Sequence, residues 1–273
     1  MEARRVGIVG YGHLGRFLYR SLRDSNNFRV AFVWNRTPCA LEDVDENLVL
    51  RELSDFHSRP ADVIVEVAHP DITAKHGSDF VAVSDYVIGS PTALADPEVE
   101  SRLRTAAIQH GVYVPSGALW GGEDLQKLAE TNMLEFAKIT MRKHPSSIKL
   151  TGELKKRNEA VIDRPVVLYE GPVREICKMA PNNTNTMATA AIAAHNLGMD
   201  GVMGCLVADP SLEKHHVVEV EARGPLVDGE RFTVHTIRKN PATRGAVTGM
   251  ATYNAFLASL HRATSKGPGI HLC

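Results

Sequence analysis

Residues 6–15 read Val6-Gly7-Ile8-Val9-Gly10-Tyr11-Gly12-His13-Leu14-Gly15. A short apolar run, typical of a buried strand, leads into a Gly-x-Gly-x-x-Gly turn, after which leucines recur at helical spacing. In such a turn the first glycine permits the sharp bend, the second leaves room for a pyrophosphate, and the third lets helix and strand pack closely. The stretch therefore predicts a dinucleotide-binding turn, with Gly10, Gly12 and Gly15 beneath the pyrophosphate and the helix amides facing it. A glycine-rich turn without a ligand is the alternative.

Working outward, short apolar runs alternate with helical patterns through the first half of the chain. Strands are predicted at residues 6–9, 30–34, 63–67, 86–88 and 112–115, and helices around 72–82 and 97–109 separate the later ones. This alternation is typical of a parallel sheet covered by helices on both faces. We predict that residues 1–120 form an α/β Rossmann domain with a doubly wound parallel sheet.

The pattern changes after residue 120. A helix is predicted from residue 121, strands at 138–141, 217–221 and 232–237, and an Ala-rich helix over 186–197. We predict a second, α+β substrate and dimerisation domain over residues 121–242. Residues 243–273 are predicted to form a C-terminal segment that packs back on the body, with a helix over 246–260 and a loose tail over 265–269.

Composition narrows the class of protein. The formal net charge of −1 gives the chain no bulk electrostatic reason to bind nucleic acid or an anionic membrane. No apolar run approaches the ~20 residues of a membrane span, and the first five residues lead directly into the first strand without a signal-peptide apolar region. The cysteines are scattered without CxxC spacing, as expected for reduced thiols and not for a disulfide framework or a zinc site. We expect a cytoplasmic protein with a small-molecule ligand, no metal, and no nucleic-acid or membrane partner.

The end of the second predicted strand bears on the choice of cofactor. It reads Trp34-Asn35-Arg36-Thr37, where an acidic residue would hold the ribose hydroxyls of NAD. The absence of an acid and the presence of Arg36 favour the 2′-phosphate of NADP, with a solvated surface charge as the alternative. We predict a nicotinamide cofactor, NADP or NAD, in contact with Asn35, Arg36 and Thr37 here and with His13 and Leu14 in the glycine-rich turn.

Three residues at the end of the third predicted strand are candidates for structural or ligand-binding roles. Glu66 lies in a strand that should be buried, and a buried carboxylate is costly without partners, so we expect it to play a structural role and cap the amides of a nearby loop. Ala68 and His69 follow at the carboxyl end of the strand, where ligands of open α/β sheets bind. We predict that both contact the cofactor, with His69 lining the nicotinamide pocket.

Several segments, in the same order along the chain, resemble the L-aspartate dehydrogenase family. They are Tyr113–Asp124, which contains Pro115-Ser116-Gly117-Ala118, then Tyr169–Glu175, Pro181–Ala188, Asp209–Val220 and Asn240–Thr243. The resemblance implies NAD(P)-dependent oxidation of L-aspartate to iminoaspartate, which hydrolyses to oxaloacetate and ammonia, and it implies a homodimer. It also implies that Ala118 and either Asn183 or Asn185 contact the cofactor, and we favour Asn185.

Oxidation of an amino acid requires a base, because the α-ammonium must lose a proton. Histidine titrates near neutral pH and can accept it. The family's active-site histidine maps to His216, but the spacing from Asp209 is one residue short and Lys214 replaces a frequent asparagine, so His215 competes for the role. His195, at the end of the Ala-rich helix, is a further candidate, although a histidine there can simply satisfy the last carbonyls of the helix.

The substrate carboxylates need cationic or amide partners. The run Arg142-Lys143-His144 follows a strand expected to face the cleft, and Arg174 lies further along the chain. Arg142 and Arg174 are the predicted cations, with a solvated face or a structural ion pair as the alternative. An extended run would point Asn183 and Asn185 the same way and present their amides to ligands, with a turn as the alternative. We therefore predict Asn183, Arg142 and Arg174 as substrate-binding residues.

The predicted function is that of an NAD(P)-dependent amino-acid dehydrogenase acting on L-aspartate. Two other functions stay open from the sequence. One is a dehydrogenase or reductase for another small dicarboxylate or imine. The other is a low-turnover NADP-binding sensor, which would bind cofactor without reducing it in the presence of aspartate.

Overall fold

The first half of the chain folds as an alternating α/β unit in the computed structural model, which describes residues 2–264 and 266–273. Its strands are β1 (Arg4–Val9), β2 (Phe28–Trp34), β3 (Val63–Glu66), β4 (Asp85–Ile88) and β5 (Gly111–Val114). Its helices are α1 (His13–Arg23), α2 (Pro70–Val83) and α3 (Pro97–Ala106), and short 3₁₀ turns replace a helix between β2 and β3. All of the strand pairings are parallel. The predicted Rossmann fold is confirmed.

Local sequence explains where these helices begin and how they pack. Helix α1 buries Leu18, Tyr19 and Leu22 on one face, the stripe expected of a helix that covers a sheet. Helix α3 begins with Pro97 after Asp96, whose carboxylate accepts a hydrogen bond from the N–H of Glu98 at 2.9 Å. Proline at the first helical position and aspartate at the N-cap are both preferred there.

The second half builds a separate, mixed sheet. Its strands are β6 (Phe136–Lys143), β7 (Val166–Pro172), β8 (Met203–Ala208), β9 (His215–Val227) and β10 (Glu230–Pro241). Its helices are α4 (Gly122–Glu130), α5 (Gly152–Glu159), α6 (Val173–Met179), α7 (Asn185–Ala193) and α8 (Gly198–Gly201). The strand order is β10-β9-β6-β8-β7, with β6 and β8 parallel and the other neighbours antiparallel. This is the α+β architecture predicted for the second domain.

The C-terminal segment returns to the first sheet. Helix α9 (Met250–Arg262) contacts α1 through stacked rings of Phe17 and Tyr253, whose centroids are 5.6 Å apart. Strand β11 (Gly269–Leu272) then pairs in parallel with β5. The predicted loose tail is wrong where it reaches Gly269, because this residue starts the strand, and the N–H of Lys266 donates to the Tyr113 hydroxyl at 3.3 Å. Ser265 lies outside the described residues.

The completed first sheet has the order β11-β5-β4-β3-β1-β2. Strand β1 therefore lies between β2 and β3, and the winding of the chain reverses there. At such a switch point the loops after the two neighbouring strands run to opposite sides of the sheet. They leave a crevice at the carboxyl ends of the strands, where ligands of open α/β sheets bind. The loops after β1 and β3 are the ones that carry the glycine-rich turn and residues 67–69. Among the described residues, no helix is long and apolar enough to cross a membrane.

Candidate active site

The glycine-rich turn, residues 10–15, has the geometry that its glycines require. Gly10 adopts a φ of +111°, and a Cβ there would lie 2.8 Å from the backbone nitrogen of Ala68. A Cβ on Gly15 would lie 2.1 Å from the carbonyl oxygen of Gly10. By contrast, a Cβ on Gly12 would meet nothing within 4 Å, so this backbone faces open space at the N-terminus of α1. The turn thus presents an exposed backbone surface and a helix N-terminus, which fit the pyrophosphate of a dinucleotide.

The end of β2 lies beside this turn. The N–H of Tyr11 donates to Asn35 Oδ1 at 3.0 Å, and Asn35 Nδ2 donates to the carbonyl of Thr37 at 3.0 Å. Asn35 therefore ties the glycine-rich turn to the loop after β2, while Arg36 and Thr37 are exposed. A cavity of about 530 Å³ opens at this loop and is lined by Asn35 and by residues between 38 and 52.

Glu66 is fully buried and holds together the loops after β3 and β4. Its carboxylate accepts hydrogen bonds from the backbone N–H groups of Ala68, His69 and Ser90 at 2.6, 2.8 and 2.9 Å. Burial raises its pKa to about 7, against the lowering effect of these hydrogen bonds. The expected role as a cap for loop amides is confirmed. His69 is itself used as a cap, since its Nδ1 accepts from the N–H of Asp71 at 3.3 Å at the start of α2.

A second cavity, of about 90 Å³, lies where β6, β9, β10, α7 and the start of α9 meet. We call it the polar cavity. It collects residues that are far apart in the sequence and mostly polar, and those used below are Ala118, Lys143, Asn183, Asn185, His216 and Asn240. Ala118, Asn183, Asn185 and His216 were all predicted as site residues, and the fold brings them together here.

His216 lies inside the polar cavity, and His215 does not. His216 is 6% exposed and its Nε2 has no hydrogen-bond partner within the described structure, whereas His215 is exposed. Strand β9 has already begun at His215, so the two rings point to opposite faces of the sheet. Burial and then the charge of Lys143 lower the pKa of His216 to about 4, and the backbone of Ala246 opposes this shift. The imidazole is therefore neutral at pH 7 and has a free nitrogen.

Lys143 is the cation of the polar cavity, whereas its neighbour Arg142 was the cation predicted from the run 142–144. It is 4% exposed, its Nζ donates to the carbonyl of Val247 at 3.0 Å, and none of the ion pairs among the described residues includes it. Burial lowers its pKa to about 8. The alternation of β6 indicated this position, because Lys143 lies two residues after the buried Met141 and four after the buried Ile139, on the same face of the strand.

Two further polar atoms in the polar cavity lack partners. Asn185 Oδ1 and Asn240 Nδ2 are buried and unbonded, and with His216 Nε2 they make up three of the six such atoms in the described part of the chain. Buried polar groups are almost always hydrogen-bonded in native proteins. A cluster of free acceptors and donors in one cavity is the arrangement that a polar ligand would complete.

The two arginines predicted to bind carboxylates lie outside the polar cavity. The expected orientation of Arg142 is wrong: β6 turns it to the opposite face from Lys143, where its Nε is 2.5 Å from Glu219 Oε1. Arg174 is paired with Asp200 at 2.7 Å and also donates to the carbonyl of Ala95. Both guanidinium groups are thus engaged in structural ion pairs, the alternative that the sequence left open.

The predicted extended run at Asn183 and Asn185 is also wrong. The chain turns at residues 181–183, and α7 begins at Asn185. The amide of Asn183 binds the backbone of Lys149 on both sides, accepting at 3.3 Å and donating at 2.6 Å, so it is occupied although it borders the polar cavity. His195 is exposed in the turn after α7 and is not among the residues that line the polar cavity.

The fold and this site define an NAD(P)-dependent oxidoreductase with a Rossmann domain and a second, mixed-sheet domain. Residues 10–115 match the family model of the homoserine dehydrogenase NAD-binding domain, and residues 124–259 match that of the aspartate dehydrogenase C-terminal domain. The chain belongs to the aspartate dehydrogenase family, whose members are amino-acid dehydrogenases, and its cofactor is NAD or NADP.

Relatives and solved structures agree with this assignment. An "aspartate dehydrogenase domain-containing protein" of Xenopus tropicalis is 48% identical, over 98% of this chain and 98% of its own. An L-aspartate dehydrogenase of Archaeoglobus fulgidus is 30% identical, over 87% of this chain and 90% of its own. The crystal structure of aspartate dehydrogenase from Thermotoga maritima superposes with a TM-score of 0.70 at 22% identity, over 96% of this chain and 97% of its own, and thus shares the fold.

Proposed function

We propose that the protein oxidises L-aspartate to iminoaspartate with NAD or NADP, and that the imine hydrolyses to oxaloacetate and ammonia. The observation that carries this proposal is the neutral, unpartnered imidazole of His216 in the polar cavity. Ala118 and Asn185, proposed as cofactor contacts, line the same cavity. A base and the cofactor's reactive end would therefore meet at one place.

His216 would act on the substrate's α-ammonium, which must become an amine before the α-carbon can lose hydride. Its Nε2 is the free atom that would accept this proton. The carboxylates of a bound substrate would raise the pKa of His216 again, because a nearby negative charge favours the imidazolium. When bound, the nicotinamide supplies the hydride acceptor. The glycine-rich turn, with His13 and Leu14 in its first helical turn, would hold the pyrophosphate.

The remaining cofactor contacts are proposed from their positions. Asn35, Arg36 and Thr37 at the end of β2 would hold the adenosine ribose beside the cavity of about 530 Å³. Ala68 and His69 would border the nicotinamide half, since Glu66 fixes their backbone at the switch point. We propose further that residues 1–120, 121–242 and 243–273 are the dinucleotide-binding domain, the substrate and dimerisation domain, and the segment that packs back on the body.

Reduction of the cofactor tests the proposed reaction directly. The absorbance of reduced nicotinamide is followed with NAD⁺ and with NADP⁺, each with L-aspartate, D-aspartate, L-asparagine and L-glutamate. We expect reduction with L-aspartate and little with the other three. Preference for L-glutamate would make the protein a dehydrogenase of a different dicarboxylate, and preference for D-aspartate or L-asparagine would contradict the proposed reaction. Tight cofactor binding without reduction by any of the four would favour the sensor.

We also propose a homodimer, formed through the β9–β10 hairpin. Strand β10 is an edge strand of the second sheet, and Leu226, Val227, Phe232 and Ile237 of this hairpin are exposed apolar residues. Exposed edges and apolar patches of this kind are typical of association surfaces. Light scattering should give the mass of two chains, and Ile237→Glu should give the mass of one. Ile162→Glu, at an apolar residue 84% exposed elsewhere, is the matched control and should leave the dimer intact.

A cytoplasmic location is proposed from the cysteines. Cys39, Cys177, Cys205 and Cys273 are all free thiols in the structure. Free thiols scattered through a chain are usual in reducing compartments. Fractionation of cells with an antibody to the protein would check this location.

A further inference from the structure

Lys143 holds a positive charge that pairs with no acid among the described residues. Its side chain is almost fully buried, and in the described part of the chain its Nζ donates only to the neutral carbonyl of Val247. Burying an ammonium group is costly unless the charge is paired. An unpaired cation in a ligand-sized cavity therefore destabilises the folded protein, and a bound anion would remove this cost.

The surroundings of Lys143 reinforce this interpretation. Among the residues that line the polar cavity, Lys143 and His216 are the two that titrate, and none is acidic. Strands β6 and β9 pair with Arg142 opposite Val217, so the next residues, Lys143 and His216, are neighbours across the strands. The unbonded Asn240 Nδ2 supplies another donor in the same cavity. One cation and one amide donor form a small anion-binding set.

We propose that Lys143 binds and orients a carboxylate of the substrate. This inference rests on the proposed function, in which the polar cavity receives L-aspartate. It assigns to Lys143 the role that sequence reasoning gave to Arg142 and Arg174. Lys143 acts by binding and orienting, while His216 exchanges the proton.

Proton uptake follows from this role. The pKa of Lys143 is lowered to about 8 in the free protein, and a bound carboxylate beside it favours the charged amine and raises that pKa. Binding of a dicarboxylate near pH 8 should therefore take up protons from the buffer. In the cavity, His216 is the other group that titrates, so His216→Gln measures its share of the uptake.

The experiment compares Lys143→Met with Arg142→Met in the full-length protein saturated with reduced cofactor, which cannot accept hydride from aspartate. Methionine matches the lysine stem as far as Cε and lacks the ammonium group, and Arg142 is the adjacent cation on the other face of β6. Titration calorimetry with L-aspartate and with succinate gives affinities without requiring turnover. Lys143→Met should weaken binding of both by about 30-fold or more, abolish most of the proton uptake near pH 8, and leave cofactor affinity unchanged. Arg142→Met should change the affinities by less than about 3-fold.

Steady-state kinetics separates binding from proton transfer. A carboxylate-binding lysine predicts that Lys143→Met raises KM for aspartate more than it lowers kcat. A fall in kcat with unchanged aspartate affinity would overturn the proposal and make Lys143 a proton acceptor. Lys143→Met should fold at least as stably as the wild type, since it removes an unpaired buried charge, and Lys143→Gln replaces it if thermal unfolding shows otherwise.

The outcomes for Lys143 and for the proposed reaction are distinguishable. If the wild type binds succinate but does not oxidise aspartate, the proposed reaction fails, and the effect of Lys143→Met on succinate binding still decides the role of Lys143. If the wild type oxidises aspartate and Lys143→Met binds it normally, the proposal for Lys143 fails alone. If the cofactor-loaded wild type binds neither acid, both fail.

Discussion

Lys143 and His216 face each other across β6 and β9 at one wall of the polar cavity, and the charge of the lysine lowers the pKa of the histidine. At pH 7 the pair therefore consists of a cation and a neutral imidazole, because burial and this charge bring the pKa of His216 to about 4. Such a pair can bind an anion and accept a proton at the same time. The division of roles between the two residues leads to the predictions that follow.

The pH dependence of stability should report the buried state of His216. Its pKa falls from an ordinary value of 6.5 to about 4, so the unfolded chain binds the proton more tightly than the folded one. The free energy of unfolding is therefore highest above pH 6.5, where His216 is neutral in both states. As the pH falls towards 4 it decreases by about 3 kcal/mol at most, because the unfolded chain takes up the proton first. Lys143 stays charged in this range and does not contribute to the slope.

Urea denaturation at a series of pH values between 4 and 7 measures this effect. The free energy of unfolding of the wild type should fall more steeply towards pH 4 than that of His216→Gln. Taking the difference between the two proteins removes other titrations, including that of Glu66, whose raised pKa acts in the opposite direction through this range. Parallel curves would show that His216 titrates normally in the folded protein.

Substitution of the two adjacent histidines should separate catalysis from surface position. His216→Ala should lower the turnover of aspartate by ~100-fold or more, the contribution of a positioned base, with nearly unchanged cofactor affinity. His215→Ala should have little effect, since this ring is exposed on the other face of β9. Both are measured by cofactor reduction and by cofactor titration. A damaging His215→Ala would contradict the assignment of the base, and two harmless changes would move it to His69 or His195.

Cofactor preference should depend on Arg36. This residue is exposed at the end of β2, where the 2′-phosphate of NADP would lie. Arg36→Ala should weaken NADP binding roughly 10-fold or more, as the loss of a charge-assisted hydrogen bond predicts, and change NAD binding much less. Arg29→Ala, at an exposed residue near the other end of the same strand, is the control. Equal changes for the two cofactors would mean that Arg36 is a general surface charge.

The sequence was sufficient to predict strands β1 to β5 of the first sheet, since these are short apolar runs whose conformation is decided by their own composition. Strand β7 was not predicted. It contains Gly171 and Pro172 and is an edge strand with partly exposed residues, so its hydrophobic alternation is weak. Strand β11 was predicted as part of a tail, because its conformation depends on pairing with β5, far away in the chain. Partners at such separation leave no local signal.

For the site, the resemblance to the family located His216, Ala118 and Asn185, and the fold brings them into one cavity. The cation was missed for a specific reason. Guanidinium chemistry favoured Arg142, while the alternation of β6 places its neighbour Lys143 on the buried face. The alternation of buried and exposed residues along β6 was enough to place Lys143 on the buried face. Only a structure shows that Arg142 is already paired with Glu219.

The glycine-rich turn allows ligand binding and folding to be tested separately. A side chain on Gly12 would extend into open space, and φ there is −76°, which any residue adopts. Gly12→Val should therefore fold normally but lose cofactor binding, because its methyl groups would occupy the position of the pyrophosphate.

A Cβ on Gly15 would instead lie 2.1 Å from the carbonyl oxygen of Gly10. Gly15→Ala should lower the free energy of unfolding by about 1–3 kcal/mol, because strand and helix must move apart. Calorimetric titration with NAD and NADP, combined with urea denaturation of both variants, measures the two effects. Wild-type cofactor affinity in a folded Gly12→Val protein would show that the pyrophosphate does not lie over this turn.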